Sequence, residues 1–357
     1  MYVATAMSGG MDSTASAWLL KHQGHEVVGL HMRIHAGSES SWEKAKAAAA
    51  EIGVPIHEVD LTDKFDRHVI EPFVNEYRAG RTPSPCPLCN RFIKMTALWE
   101  AAAALGCEKL ATGHYARIGG TPEGPQLLKS ADPRKDQSYF LFMLTREMLA
   151  RVIFPVGAMT KAKVRELLRN QRISVVDTEE SQELCFIPGD DYRAFLKAHG
   201  VEGRPGFIKD LNSKVMGRHE GVARFTVGQR RGLGISAPRA LYVVRIDPSD
   251  NTVYVGSKEE TYVRKVVISE ANFLVSPKPL AGSRFEVKVR STSPSVPCEV
   301  VSYSDDGLEL QLDAPQSGVA PGQAAVLYSG ERVVGGGWIT ENAAVLAPAS
   351  APEGERR

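Results

Sequence analysis

Near the start of the chain, Ser8-Gly9-Gly10-Met11-Asp12-Ser13 stands between an apolar, strand-like run over residues 2–6 and a helical pattern over residues 13–23. A strand that turns through two glycines directly into a helix is a restrictive arrangement. The glycines let backbone N–H groups turn toward an anion, and the positive end of the helix dipole faces the same point. Ser8 and Ser13 add hydroxyl donors, and Asp12 is a hard oxygen ligand of the kind that Mg2+ takes. The Gly-Lys-Ser/Thr ending of a Walker A loop is missing. The plainer reading, a Ser/Gly loop serving only as a helix cap, is outweighed by the strand before it and the helix after it.

The same alternation continues downstream. Strand-like runs cover residues 27–34, 55–59 and 109–112, and helical patterns cover 41–52, 65–78 and 91–105. Short apolar runs separated by helices predict an α/β domain with a Rossmann-like parallel sheet. With 357 residues the chain exceeds one ordinary core. The expected division is an α/β domain carrying the glycine loop over 1–200, a central domain over 201–264 and a C-terminal antiparallel β-barrel over 265–342. In the central part, 241–246 and 252–256 read as a hairpin across Asp247-Pro248-Ser249-Asp250-Asn251. Beyond it, short β-like runs at 285–290, 298–303, 308–312, 324–328 and 333–339 suggest the barrel. The Ala-, Pro- and Glu-rich tail, 343–357, is expected to be disordered.

Charge excludes a globally basic nucleic-acid binder, since 43 Lys and Arg stand against 42 Asp and Glu. A local patch remains: residues 204–239 carry eight Lys/Arg and only two acids, with Arg230 and Arg231 at its heart. No run is long and apolar enough for a membrane span, and no basic leader opens the chain. Five cysteines without a signal peptide argue for reduced thiols in the cytoplasm.

Three of those thiols stand in unusual surroundings. Cys86 and Cys89 lie in the proline-rich stretch Thr82-Pro83-Ser84-Pro85-Cys86-Pro87-Leu88-Cys89, just before a helix expected to begin near Asn90. A thiol at a helix N-terminus is expected to have a lowered pKa. Cys185 follows in Ser181-Gln182-Glu183-Leu184-Cys185-Phe186-Ile187-Pro188. A zinc knuckle would need a second Cys/His pair, which is missing. Cys107 and Cys298 read as small buried apolar residues, and His31, His57 and His68 as packing or surface residues.

Six segments occur in the order of the tRNA 2-thiouridylase family, which the chain resembles from Met7 to about Ile339. They are the glycine loop, residues 82–94, Ala111-Thr112-Gly113-His114-Tyr115-Ala116-Arg117, Lys135-Asp136-Gln137-Ser138-Tyr139, Cys185-Phe186-Ile187, and residues 225–234. The loop resembles the SGGxDS pyrophosphate loop of enzymes that split ATP between its α and β phosphates. The resemblance implies ATP-dependent 2-thiolation of a wobble uridine: adenylylation of the C2 oxygen, then sulfur transfer from a persulfide on Cys185. Cys89 is implied as the nucleophile that closes a transient disulfide with Cys185. Implied ATP contacts are Ala6, Met7, Ser8, Gly9, Gly10, Met11, Asp12, Ser13, Met32 and Gly113, with Mg2+ on Asp12. Implied tRNA contacts are His114, Lys135, Asp136, Gln137, Arg290 and Gln323. A persulfide or sulfide donor protein is the second implied partner. Some family members carry Asp where this chain has Cys86, which opens a second hypothesis: Cys86, Cys89 and Cys185 as ligands of an iron–sulfur cluster. Two rivals are an ATP-dependent synthetase acting on a small metabolite and a non-catalytic RNA-binding protein.

Overall fold

The computed structural model describes residues 1–177, 184–187, 189, 191–304 and 307–344. Of the tail expected to be disordered, 343–357, residues 343 and 344 instead end the last strand, and the rest lies outside the described residues, as do Ser181-Gln182-Glu183 and Pro188 of the third thiol segment.

Strands β1 (Tyr2–Ala6), β2 (Glu26–Arg33), β3 (Ile56–Asp60) and β4 (Lys109–Ala111) form a parallel sheet. It is completed, after an outlying hairpin of β5 (Arg117–Thr121) and β6 (Gly124–Leu128), by β7 (Val152–Ile153), giving the order β3-β2-β1-β4-β7. Both faces are covered. Val28 and Leu30 face a core with Phe65 and Phe73, whereas Val3 and Val27 face Ala15, Leu20 and Ala49. Burial on both sides is why β1, β2 and β4 read as apolar runs, whereas the edge strand β3 exposes His57, Glu58 and Asp60. The strand order turns back between β1 and β4, so the loops leaving those two strands meet at the C-terminal edge, where α/β sheets open a crevice.

The central domain is a four-stranded sheet, β10-β11-β8-β9, of β8 (Gly206–Asp210), β9 (Val215–His219), β10 (Tyr242–Asp247) and β11 (Thr252–Gly256). The expected hairpin is β10–β11, but β8 and β9 occupy part of what reads as a basic stretch. Lys209 sits 3.8 Å from Asp250, and the Arg218 guanidinium lies over the Phe207 ring at 5.3 Å. Part of the basic stretch is therefore sheet surface with its own partners. Arg230 and Arg231, beyond β9, are exposed.

The C-terminal barrel contains β12 (Tyr262–Phe273), β13 (Arg284–Lys288), β14 (Val296–Ser304), β15 (Gly307–Ser317), β16 (Ala324–Ser329) and β17 (Arg332–Ala344). Pairing of β12 with both β15 and β17 closes it. The β5–β6 hairpin of the first domain attaches to its outside through Arg332 and Leu128.

Candidate active site: a phosphate loop joined to a thiol cluster

Gly9 adopts φ +77°, and a Cβ there would stand 2.7 Å from backbone atoms of Lys44 and Ala45. Only glycine fits a left-handed turn pressed this close against helix Glu39–Ile52. Ser8 and Ser13 lie with their hydroxyls 3.3 Å apart, and the Ser13 hydroxyl donates to the Gly10 carbonyl at 3.0 Å. The loop is thus preformed, with serine oxygens gathered at the N-terminus of helix Met11–His22. Met7 is buried under it, its N–H donating to the Leu30 carbonyl at 2.8 Å, and Met32 is half-buried at the end of β2.

The loop after β4 closes onto the phosphate loop. A Cβ on Gly113 would come within 2.8 Å of the Asp12 carbonyl carbon and the Ser13 nitrogen. Tyr115 donates its hydroxyl to Asp12 Oδ1 at 2.8 Å. Gln137 fixes this segment from behind: its side-chain oxygen accepts from the Tyr115 N–H, and its own N–H donates to the Tyr115 carbonyl. Asp136 accepts from the Ser130 and Ser138 N–H groups and the Ser138 hydroxyl. Two members of the Lys135-Asp136-Gln137 segment are therefore built into the scaffold of the site.

The thiol helix differs from its expectation in an instructive way. Helix begins at Cys86, not near Asn90, and continues as a π-wound stretch, Cys89–Leu98, into Trp99–Ala104. Cys89 lies one turn inside, its N–H donating to the Pro85 carbonyl at 3.0 Å. The anticipated lowering of its pKa does not occur. Burial among protein atoms dominates and pushes the Cys89 thiol up to about 12, even though Cys89 keeps some exposed surface. Desolvation by surrounding protein atoms also raises Cys86 and, although its surface is exposed, Cys185. Desolvation acts on the whole thiolate, whereas the dipole fades within the first turn.

Lys94 works against that burial. Its charge lowers the pKa of all three thiols, and Cys86 and Cys89 each feel Cys185, so the three form one electrostatic group. Cys185 is brought there by its neighbour Phe186, which is buried edge-on against Phe65, Phe73 and Phe195 at 5.4–5.6 Å. Lys94 donates to Asn90 Oδ1 at 3.0 Å, and Asn90 donates in turn to the Phe140 carbonyl. All five cysteines are unpaired thiols.

His114 joins the two halves. It is only 8 % exposed, with Nε2 at 3.3 Å from Lys94 Nζ and Nδ1 at 2.7 Å from the Thr112 hydroxyl. An ammonium can only donate, so Nε2 carries the lone pair and Nδ1 the proton. Burial first, and Lys94 second, hold the imidazole well below its usual pKa, so it is neutral. Its ring faces Lys94, not an open surface.

Arg290 and Gln323 also serve the frame. Arg290 donates to the Val227 carbonyl at 2.8 Å, linking barrel to central domain. Gln323 donates to the Thr82 and Pro83 carbonyls at 2.9 and 3.2 Å, bracing the loop that leads to Cys86.

Asp12 is a suitable single-carboxylate ligand for Mg2+ accompanied by phosphate oxygens. An iron–sulfur site fits less well: among the described residues no three His, Cys, Asp or Glu side chains are grouped to hold a metal. Also among them, no helix is long and apolar enough to cross a membrane.

Sequence reasoning gave no role to Lys94, Tyr115 or Lys161, the last of which binds Asp12. The spacing Cys86, Asn90, Lys94 places these three along one helical face and was the available signal for Lys94. Lys94→Met is expected to slow iodoacetamide alkylation of Cys89 and Cys185 about tenfold at fixed pH, because a nearby cation lowers a thiol pKa by about one unit or more. Peptide mass spectrometry reads this, and unchanged rates would remove Lys94 from the thiol group.

A preformed phosphate loop at a sheet crevice, joined through one loop to a cluster of three thiols, defines the class of a nucleotide-using α/β enzyme. Residues 1–189 match the family model described as "tRNA methyl transferase HUP domain", residues 193–257 the "tRNA methyl transferase PRC-barrel domain", and residues 263–339 the "Aminomethyltransferase beta-barrel domain". The chain is 44% identical over 347 residues to the tRNA-specific 2-thiouridylase MnmA of Syntrophotalea carbinolica, covering 95% of this chain and 98% of that one. It is 40% identical over 353 residues to the Rickettsia typhi protein of the same name, covering 95% and 99%. The chain belongs to the MnmA family of tRNA-specific 2-thiouridylases, enzymes of the sulfurtransferase class.

Proposed function

We propose that the protein makes 2-thiouridine in tRNA by first activating the base oxygen with ATP and then replacing it with sulfur from Cys185. The observation that carries this reading is the segment Thr112–Tyr115. Gly113 packs on the phosphate loop, Tyr115 bonds Asp12, and His114 meets the lysine that faces the thiols. One short loop thus adjoins both an ATP site and a sulfur site, so a base held there reaches both.

In the first step the uridine C2 oxygen attacks the α-phosphorus, and the bond to the β-phosphate oxygen breaks to release pyrophosphate. Serine hydroxyls and loop N–H groups hold the phosphates. Bound Mg2+, held by Asp12, supplies charge neutralisation for the triphosphate. In the second step the terminal sulfur of a Cys185 persulfide bonds to C2 and AMP leaves. The Cys89 thiolate then attacks Cys185 Sγ, the S–S bond to the transferred sulfur breaks, and the base departs with C2=S. If Cys89 attacks first, hydrosulfide is released and adds to C2 itself. Either route leaves a Cys89–Cys185 disulfide, which an external dithiol reduces with two electrons. A reducing cytoplasm suits that reset, and a donor protein supplies the persulfide sulfur.

An exposed base is needed, because chemistry at C2 requires a nucleotide out of the stack, as an anticodon loop provides. Arg230 and Arg231 are suited to its phosphates. Arg230→Ala with Arg231→Ala is expected to weaken tRNA binding and reduce the slope of log K against log salt by about one to two. Filter binding at several salt concentrations checks this, and an unaltered slope would move the phosphate contact elsewhere.

The reading is tested by asking which acceptor triggers pyrophosphate release. Release with unmodified tRNA, and none with carboxylates plus amines, is expected. The opposite preference would favour the small-metabolite synthetase.

A further inference from the structure

Asp12, the only acid of the phosphate loop, already has a cationic partner. Lys161 opens helix Lys161–Asn170 and brings Nζ to both Asp12 oxygens, at 2.9 and 2.7 Å. The lysine side chain is 14 % exposed and the aspartate 30 %, so this is a sheltered pair and not a surface accident. The helix is firmly placed. Thr160 caps it by accepting from the Lys163 N–H, the Lys161 N–H donates to Asp132 Oδ2 at 2.9 Å, and Val164 and Leu168 are buried in the core shared with helix Met11–His22. The ammonium also lies 5.7 Å from the centre of the Tyr115 ring. A rigid helix thus holds a flexible cation at the mouth of the loop.

A triphosphate arriving here brings several negative charges toward a carboxylate. That encounter is favourable only with cations between them, and Mg2+ and the ammonium compete for the same aspartate oxygens. We infer that Lys161 is a pyrophosphate-binding residue: it neutralises Asp12 while the site lacks nucleotide, and turns to the β- and γ-phosphates when ATP occupies the loop. This rests on the reading of residues 8–13 as an ATP site. In that position the ammonium meets the charge that develops as pyrophosphate leaves, which is where an oriented cation accelerates phosphoryl chemistry.

The test is a double-mutant cycle in binding, read by calorimetry on the full chain with inorganic pyrophosphate plus Mg2+, and with AMP as a second probe. Lys161→Met is expected to weaken pyrophosphate about tenfold or more, the loss of one charge-assisted contact, and to leave AMP affinity unchanged. At least the same loss is expected in an Asp12→Asn background, where no ion pair has to be given up, and Lys161→Arg is expected to retain most of the pyrophosphate affinity. If Lys161 only cancels the Asp12 charge, its removal has no effect once Asp12 is neutral, and that result would overturn the inference. Equal weakening of AMP and pyrophosphate by Lys161→Met would also overturn it, by making the lysine a support of the fold. A wild-type protein that binds neither probe would overturn the ATP reading itself, and this inference with it.

Discussion

Cys185→Ser is expected to abolish 2-thiouridine formation while tRNA-dependent release of pyrophosphate continues. Serine has nearly the shape of cysteine, so Phe186 should still anchor the segment against Phe65, Phe73 and Phe195. A hydroxyl cannot carry a transferable sulfur, however, because that requires an S–S bond. Cys89→Ser is expected to differ: Cys185 still takes up a persulfide, visible as one added sulfur in its peptide, but turnover stops because nothing displaces the sulfur. The pH dependence separates the two steps further. Burial lifts the Cys89 thiol to about 12, so its reactive thiolate is a minor species at neutral pH. A group whose deprotonated form reacts and whose pKa lies above the assay range gives a rate that rises about tenfold per pH unit. Sulfur transfer in single-turnover experiments is therefore expected to climb from pH 7 to 9, while pyrophosphate release does not follow that slope. A Cys185→Ser protein that still thiolates, or parallel pH profiles for the two steps, would separate these thiols from the chemistry.

The second large effect is expected from Gly113→Ala. One methyl group would meet the backbone of Asp12 and Ser13 at 2.8 Å, and backbone cannot swing aside as a long side chain can. Either the phosphate loop or the loop after β4 must shift by several tenths of an ångström. Displacements on the ångström scale in a preorganised site cost about a hundredfold in rate. Pyrophosphate release is accordingly expected to fall about a hundredfold, with the protein still folded by circular dichroism. Gly120→Ala is the control: no atom lies within 4 Å of a Cβ placed there, and its backbone is not left-handed. A Gly113→Ala enzyme with wild-type turnover would mean that the two loops are not held together during the reaction.

The parallel sheet and its loop were legible because their signals are local. Fully buried parallel strands must be apolar throughout, and a glycine pair between strand and helix has few uses. Strand β12 was not legible, because register shifts between Val263 and Lys265, and between Ser269 and Asn272, break its alternation. Strands β8 and β9 fully bury only Ile208 and His219 and so lack an apolar stripe. The hairpin β5–β6 drew no strand assignment from the sequence, and it attaches to the barrel sheet through a partner some 200 residues away.

Within the site, residue types outran residue surroundings. The thiols were recognisable, but the expected acidification of Cys89 assumed an exposed helix end, and burial reversed it. Lys94 meets His114 across 20 positions and Lys161 meets Asp12 across 149, distances over which no sequence spacing carries information. Arg290 and Gln323 look like surface contacts in a β-rich stretch, yet each donates to a backbone carbonyl of another domain.

The central claim is that the sulfur on the base comes from Cys185 after ATP has activated the oxygen. The most direct measurement loads Cys185 with a heavy-isotope persulfide, removes the donor, and adds ATP-Mg2+ and unmodified tRNA for one turnover. The tRNA is then digested and its nucleosides weighed by mass spectrometry. The account predicts 2-thiouridine carrying the heavy sulfur, dependent on ATP, together with a Cys89–Cys185 disulfide in the protein. Thiouridine that is unlabelled, or formed equally well without ATP, would contradict it.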